Sequence, residues 1–127
     1  MFTKDLKSET SLLTLLKAQS ATATANGTGV DISSYCGNIL VILNAAAATA
    51  GINPTLDVKI QDSADNSSFA DVSGYAFTQV TTTDSLQGLS VDTRLCRKYI
   101  RVVITIGGTS SPAFPVAVSA VAYPNVV

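Results

Sequence analysis

Alternation of apolar and polar residues is the feature of this chain that most constrains its fold. In residues 54–62, Leu56, Val58 and Ile60 alternate with polar neighbours, and in residues 98–106 isoleucine and valine occupy every even position from 100 to 106. A period of two places successive side chains on opposite faces of a strand. The pattern is typical of half-buried antiparallel β-strands.

Comparable segments recur along the chain between clusters of turn-forming residues. Further strands are expected at residues 21–25, 38–43, 75–82, 86–92 and 114–122. Residues 38–43 are nearly all apolar, which favours a central strand covered on both faces. The sequence therefore predicts an all-β fold, an antiparallel β-sandwich or jelly-roll-like single domain of about seven or eight strands.

The domain is expected to span residues 21–127, preceded by an N-terminal arm over residues 1–20. Within the arm, residues 12–18 suit either a short helix or an extended segment. The apolar run in the arm is too short for a secretory signal. The longest apolar stretch, residues 39–50, is too short to span a membrane. The sequence therefore predicts a protein made in the cytoplasm and not inserted in a membrane.

Charge is scarce and unevenly placed. The chain has eight basic and nine acidic residues among 127, and residues 32–56 and 102–127 carry none. The two signs nearly cancel, and the densest group of basic residues, within residues 94–101, has only four charges. Such a weak positive potential does not hold nucleic acid through its phosphates, so no nucleic-acid partner is expected. An apolar content of 46% excludes intrinsic disorder.

Catalytic chemistry has few side chains available. The chain lacks His, and its single Glu is Glu9. His-dependent nucleophilic and general-base arrangements are therefore excluded, two Cys do not make a zinc site, and we expect no catalytic residues, metal or cofactor. Four carboxylates lie within fifteen residues and are interpreted as turn and surface residues, with a carboxylate site as the alternative: Asp57, Asp62, Asp65 and Asp71.

Cys36 and Cys96 each precede an apolar strand. The default expectation is two buried free thiols, because two cysteines are few for a secreted domain of this size. A disulfide is the alternative if the two strands lie side by side.

Two groups of residues are candidates for contact with a partner protein. Prolines 112, 115 and 124 surround the last strand and predict that it is an edge strand, since proline cannot donate to a ladder. Its exposed contacts are expected to be Val116, Val118 and Val121. The second group is basic and is weighed against a merely solvated surface: Arg94, Arg97, Lys98 and Arg101, with Lys4 and Lys7 on the arm.

A third candidate surface is aromatic. Phe69, Tyr75 and Phe77 surround one turn region and could stack on a sugar, although their alternation favours core positions for Tyr75 and Phe77.

Several segments of the chain resemble small structural proteins of tailed bacteriophages. They are residues 21–31, 56–63 with 69–72, and 98–108 continuing through 114–116, and the similarity spans residues 12–122. The resemblance implies a capsid cement or decoration protein of the virion, a dimer or trimer that binds the major capsid protein or another virion protein. Another virion component (tail, neck or fibre) is an alternative. Residues 99–102 also resemble a late strand of discoidin-like, galactose-binding jelly rolls, which implies a carbohydrate-binding module instead.

Overall fold

The protein is all-β, as the alternation predicts: eight antiparallel strands form a nearly barrel-shaped structure, which β8 divides into two sheets. The computed structural model describes residues 5–125. Within that range the elements are α1 (Leu6–Glu9), β1 (Ser11–Ala21), β2 (Ala25–Asn26), β3 (Val30–Asp31), β4 (Tyr35–Ala45), β5 (Ala50–Ser63), β6 (Ala70–Ala76), β7 (Ser85–Asp92), a 3-10 turn η1 (Thr93–Leu95) and β8 (Tyr99–Pro124). None of the helical segments in residues 5–125 is long and apolar enough to cross a membrane.

Strand β8 is shared by the two sheets. Its C-terminal half lies between β1 and β4, and β7 pairs with the other side of β4, which makes the first sheet β1-β8-β4-β7. Its N-terminal half lies between β5 and the short strands β2 and β3, and β6 pairs with β5, which makes the second sheet. One strand thus connects the two halves of the sandwich.

The passage of β8 between the sheets requires a bend that β5 follows. Gly108, Ser110 and Ser111 have positive φ angles of 107°, 60° and 56°, and on β5 Gly51 and Asn53 have φ of 104° and 49°. A Cβ at position 108 would lie 2.8 Å from the carbonyl oxygen of Asn53. Glycine is needed there both for its φ and for the close approach of the two backbones.

The core lies between the two sheets. The apolar rows predicted at 56–60 and 100–104 point inward, and Val58 is only 2% exposed. On β8 the even-numbered residues from Phe114 to Ala120 also point inward, so Val116 is only 4% exposed. The largest fully buried side chains come from both sheets: Phe114, Leu15, Ile39, Leu43, Leu56, Ile60, Ile100 and Ile104.

The prediction that the last strand is an edge is wrong. Residues of the expected arm form β1, which pairs with β8 from Ser11 opposite Ala122 to Ala21 opposite Phe114. Pro115 is tolerated because it lies just past the end of β4, where its carbonyl accepts from the amide of Ala46 at 2.9 Å. Residues of the arm therefore pair with the side of β8 that the prolines predicted to be an open edge.

Two further strand predictions need correction. The strand expected at 75–82 lies at β6 (Ala70–Ala76), and beyond it only an isolated bridge joins Val80 to Leu56. Residues 38–43 do form a central strand, but only one face is covered, because Leu40 is 46% exposed.

Candidate functional site

Three of the four residues of the predicted basic patch are paired with neighbouring carboxylates. Arg101 instead donates to the side-chain oxygen of Gln61 at 2.8 and 3.0 Å and stacks on Phe69, 4.0 Å from the ring centroid. The other three form ion pairs: Arg94 with Asp92 at 2.9 Å, Arg97 with Asp62 at 2.9 Å and Lys98 with Asp31 at 3.9 Å. The structure thus favours a locally balanced surface over a positive patch.

One of these pairs ties the start of β8 to β5. Asp62 is 8% exposed and accepts from both the backbone amide and the guanidinium of Arg97. Burial, together with the charge of Asp62, raises the pKa of the nearby Cys96 thiol to about 11. This region is a structural network whose acceptors are already occupied by Arg97.

The four clustered aspartates are also engaged separately. Asp57 accepts from Gln79, and Asp71 accepts from Lys59 and Gln61. Asp65 accepts from the amides of residues 67 and 68 and from a serine hydroxyl, which lowers its pKa to about 2. Among residues 5–125 no group of three potential ligands is placed to hold a metal ion. The turn-and-surface interpretation fits Asp57, Asp65 and Asp71 but is wrong for Asp62, which is a buried residue of β5 paired with Arg97.

Both cysteines are free thiols, and the expectation that both are buried is wrong for Cys36, which is exposed. Cys36 is the second residue of β4 and lies opposite Tyr123 of β8. Its sulfur contacts the carbonyl of Pro124 at 3.9 Å. Cys96 lies after η1, half-buried against the core.

The predicted contact residues on the arm and on β8 have different positions. Lys7 is exposed on α1, and Lys4 lies outside the described residues. Val116 and Val118 are 4% and 0% exposed in the core, so they are closed to a partner. Val121 is half-buried and points to the other side of the first sheet.

That other side is the main candidate site, here called the open face. It comprises the outward-pointing side chains in the middle of the four strands of the first sheet, identified by strand alternation. They are Leu12 and Thr14 (β1), Leu40, Ile42 and Asn44 (β4), Leu86, Gly88 and Ser90 (β7), and Ala117, Ser119, Val121 and Tyr123 (β8). None of these twelve residues is charged, and charged side chains begin at the margins of the face, with Asp92 on β7, which pairs with Arg94, and with Lys17 on β1.

Strand pairing arranges the open face in rows across the sheet. The first row runs Leu12, Val121, Leu40, Ser90, and the second runs Thr14, Ser119, Ile42, Gly88. A third row contains Ala117, Asn44 and Leu86. With strands about 4.8 Å apart and same-face residues about 6.8 Å apart, the face covers about 400–500 Å².

Large apolar side chains on this face are strongly exposed. Leu12 is 77% exposed, Leu86 73% and Tyr123 49%, and Leu40 stands half-exposed at the centre. Next to Asn44 and Ala117 the face ends in a surface hollow of about 400 Å³ lined also by Ala18 and Gln19. The largest apolar patch on a typical monomer is of about this size and is often functional, which makes this face the main candidate for an interaction surface.

The outer face of the second sheet is entirely different. There Lys59 pairs with Asp71 at 3.0 Å, and charged or amide side chains continue on β5 and β8. Both sheets belong to one sandwich, so the contrast is not a property of the overall composition. The molecule has one solvated face and one uncharged, apolar face.

The sequence contains a signal for the open face. Its two uncharged stretches, residues 32–56 and 102–127, include β4 and the C-terminal half of β8, which are adjacent central strands of the first sheet. Periodicity alone does not reveal that the two stretches pair, because pairing across about 80 residues of chain is decided by the tertiary structure.

The predicted aromatic surface is absent from the described residues. Tyr75 and Phe77 pack against the core, as their alternation favours, and Tyr75 accepts from the amide of Asp92 at 2.9 Å. Phe69 is half-buried beneath Arg101.

Sequence comparison identifies no relative of this chain: no protein-family model matches, and no curated protein matches. Structure comparison does find similar folds. A chain in the structure of infectious bursal disease virus, Gx strain, has a TM-score of 0.59 and 14% identity, covering 91% of this chain and 32% of that chain. The corresponding values for the Gt strain are 0.56, 15%, 91% and 32%. For the VP2 subviral particle of this virus they are 0.46, 17%, 91% and 30%.

This protein therefore spans about a third of the length of those viral chains. At 14–15% identity the likeness concerns the fold. The two-sheet sandwich described above is a fold that also occurs within chains of a virus particle.

Proposed function

We propose that this protein is a non-enzymatic structural component of a virion, a cement or decoration protein that binds the assembled capsid through its open face. The observation that carries the proposal is the contrast between the two sheets. The second sheet carries ion pairs and amides, whereas the first exposes Leu12, Leu40 and Leu86 without a charged neighbour among the outward residues of the face.

The open face is suited to permanent contact with a protein surface. Covering about 400–500 Å² of mostly apolar surface is favourable by about 25 cal/mol per Å², and no charge on the face has to be desolvated. The serine, threonine and asparagine side chains among the leucines offer hydrogen bonds at the boundary. A protein that binds only the assembled shell shifts the assembly equilibrium toward it by mass action.

Two other findings support a virion role. The fold resembles parts of chains in infectious bursal disease virus structures. The resemblance of residues 12–122 to small structural proteins of tailed bacteriophages implies the same kind of role. The four clustered aspartates and the basic residues from Arg94 to Arg101 are also engaged in local pairs and turns. The partner proposed is the major capsid protein or another virion protein, and the proposed location is the virion, after synthesis in the host cytoplasm.

The test uses particles from a virus whose gene for this protein is deleted. Wild-type protein is added back and compared with Leu40→Lys, which places one charge at the centre of the open face. The matched control is Thr105→Lys, which places the same charge at an exposed position of the second sheet, opposite Asp57. The measurements are the copies bound per capsid protein and the temperature at which the particles release their genome.

Wild type and Thr105→Lys are expected to bind and to raise the release temperature, whereas Leu40→Lys is expected to bind at least about tenfold more weakly because a charge would be buried without a partner. Equal release temperatures for deleted and complete particles would refute a cement role. Binding confined to a tail, neck or fibre in virion images would replace it with that assignment. Binding to a glycan array in place of particles would indicate a carbohydrate-binding module.

A further inference from the structure

The sandwich protects its sheet edges unequally. An exposed edge strand can pair with another chain unless it is short, bulged or charged. β2 and β3 have two residues each, β1 carries Lys17 and two register shifts against β8, and β6 carries Asp71 and a register shift against β5. These described edges all have features that hinder pairing.

β7 has none of these features. It runs for eight residues, pairs with β4 without a register shift, and contains neither proline nor a charge from Ser85 to Val91. Asp84 and Asp92 bound this segment, but Asp84 accepts from the amide of Ala47, and Asp92 is paired with Arg94. The edge of β7 that faces away from β4 is therefore regular and uncharged over seven residues.

The hydrogen-bond pattern identifies which groups this edge presents. The amide of Ala46 donates to the carbonyl of Pro115, on the β8 side of β4. Because the backbone groups of a strand point to alternate sides, residues 40, 42 and 44 also direct their amides and carbonyls toward β8. Residues 39, 41 and 43 then face β7, and their partners there are 91, 89 and 87. In consequence, Leu86, Gly88 and Ser90 direct their amides and carbonyls away from β4. The amide of Asp92 also points away from β4, since it donates to the hydroxyl of Tyr75.

We infer that β7 pairs with β7 of a second copy of this chain, antiparallel, about a two-fold axis at Gly88. In this register Leu86 of one protomer lies opposite the partner's Ser90, and the two Gly88 residues face each other. The three outward residues of each copy exchange six backbone hydrogen bonds. The absence of a side chain at Gly88 leaves the axis free of steric conflict.

A second copy is the occupant that the edge fits best. An isologous interface requires a self-complementary surface, and residues 85–91 pair with themselves without like-charge contacts. At each end of this register Asp84 lies opposite the partner's Asp92, but the two carboxylates are already engaged, Asp84 with the amide of Ala47 and Asp92 with Arg94. Pairing at β7 also joins the two open faces into one eight-stranded surface. Because the dimer leaves the open face uncovered, it is compatible with the proposed capsid contact, yet it is a property of the isolated protein and is testable without particles.

The experiment is sedimentation equilibrium of the purified protein up to about 1 mM, a concentration at which even a weak dimer forms. The variant Leu86→Lys/Ser90→Lys places lysines opposite one another across the two-fold axis. The control, Leu12→Lys/Thr14→Lys, places the same charges on the same face at the β1 edge. A second variant, Ser90→Pro, removes one outward amide while leaving the bonds to β4 in place. Circular dichroism and thermal unfolding check that each variant folds.

Wild type and the β1 variant are expected to dimerise alike, while the β7 variant and Ser90→Pro weaken the dimer by at least about tenfold. Hydrogen exchange at the amides of residues 86, 88 and 90 should slow as protein concentration rises. A monomeric wild type at 1 mM, or a dimer weakened equally by lysines at β1, would overturn the inference. A dimer unaffected by the β7 changes would do so as well. A failure of capsid binding alone leaves these measurements unchanged, so the two proposals are separable.

Discussion

Replacement of Gly27 by alanine tests how closely the two sheets approach each other beside β2. Gly27 follows β2, and its amide donates to Val102 of the second sheet at 2.7 Å. The next amide, of Thr28, donates to Leu15 of the first sheet at 3.2 Å. A Cβ at position 27 would lie 2.2 Å from the carbonyl oxygen of Leu15, an impossible contact that forces the backbones apart.

The expected cost follows from these contacts. Overpacking against backbone costs about 1–3 kcal/mol, and each weakened backbone hydrogen bond adds about 1 kcal/mol. Gly27→Ala is therefore expected to lower the free energy of unfolding by about 2–4 kcal/mol, a decrease of about 10 °C in Tm. Urea denaturation followed by circular dichroism measures the loss, with an unchanged m-value showing that the unfolding transition is the same.

Gly88→Ala is the matched control, because its Cβ would meet only the mobile end of Leu40, at 3.3 Å. Its effect is expected to stay within about 0.5 kcal/mol. An equal loss of stability in the two variants, or a loss below about 1 kcal/mol for Gly27→Ala, would refute the proposed close contact between the sheets.

Two further predictions concern titration and reactivity. Three hydrogen-bond donors hold the pKa of Asp65 at about 2, so its stabilising contribution is complete above pH 3.8, the ordinary value, and is lost as the pH falls toward 2. NMR titration of the carboxyl carbon should show that low midpoint, and a midpoint near 3.8 would contradict it. In a Cys36→Ala variant, iodoacetamide should label Cys96 at pH 8 about a hundredfold more slowly than in the same chain unfolded in urea, since burial raises the thiol pKa to about 11. Equal labelling rates would show that Cys96 is not shielded.

The strands were predictable from the sequence where local alternation is strong. Leu56, Val58 and Ile60 point inward as predicted, and so does the even-numbered row beginning at Ile100. The antiparallel, all-β class follows from the same pattern. The strand at residues 70–76 is predicted incorrectly at 75–82. Only Val72 and Tyr75 of this strand are half-buried, so its sequence has little alternation of apolar and polar residues.

The neighbours of each strand were less predictable. The prolines around β8 indicated an edge, yet β1 covers that side and buries Leu15 and Leu16 as it joins the sheet. The basic cluster resembled a patch, yet Asp62, distant along the chain, comes to Arg97 in the folded protein. Sequence position does not report such pairings.

The sequence by itself determined the class of fold, the inward rows of the core and the absence of charge from two long stretches. Those properties depend on side-chain type and on a spacing of two residues, both of which are local. Only the tertiary structure decided that the two uncharged stretches, in β4 and β8, lie side by side with their outward residues uncovered. It also left β7 as the unprotected edge beside them. Strand order and edge exposure arise from contacts between distant segments. Those contacts bring the two uncharged stretches together, so that their outward residues form one continuous surface.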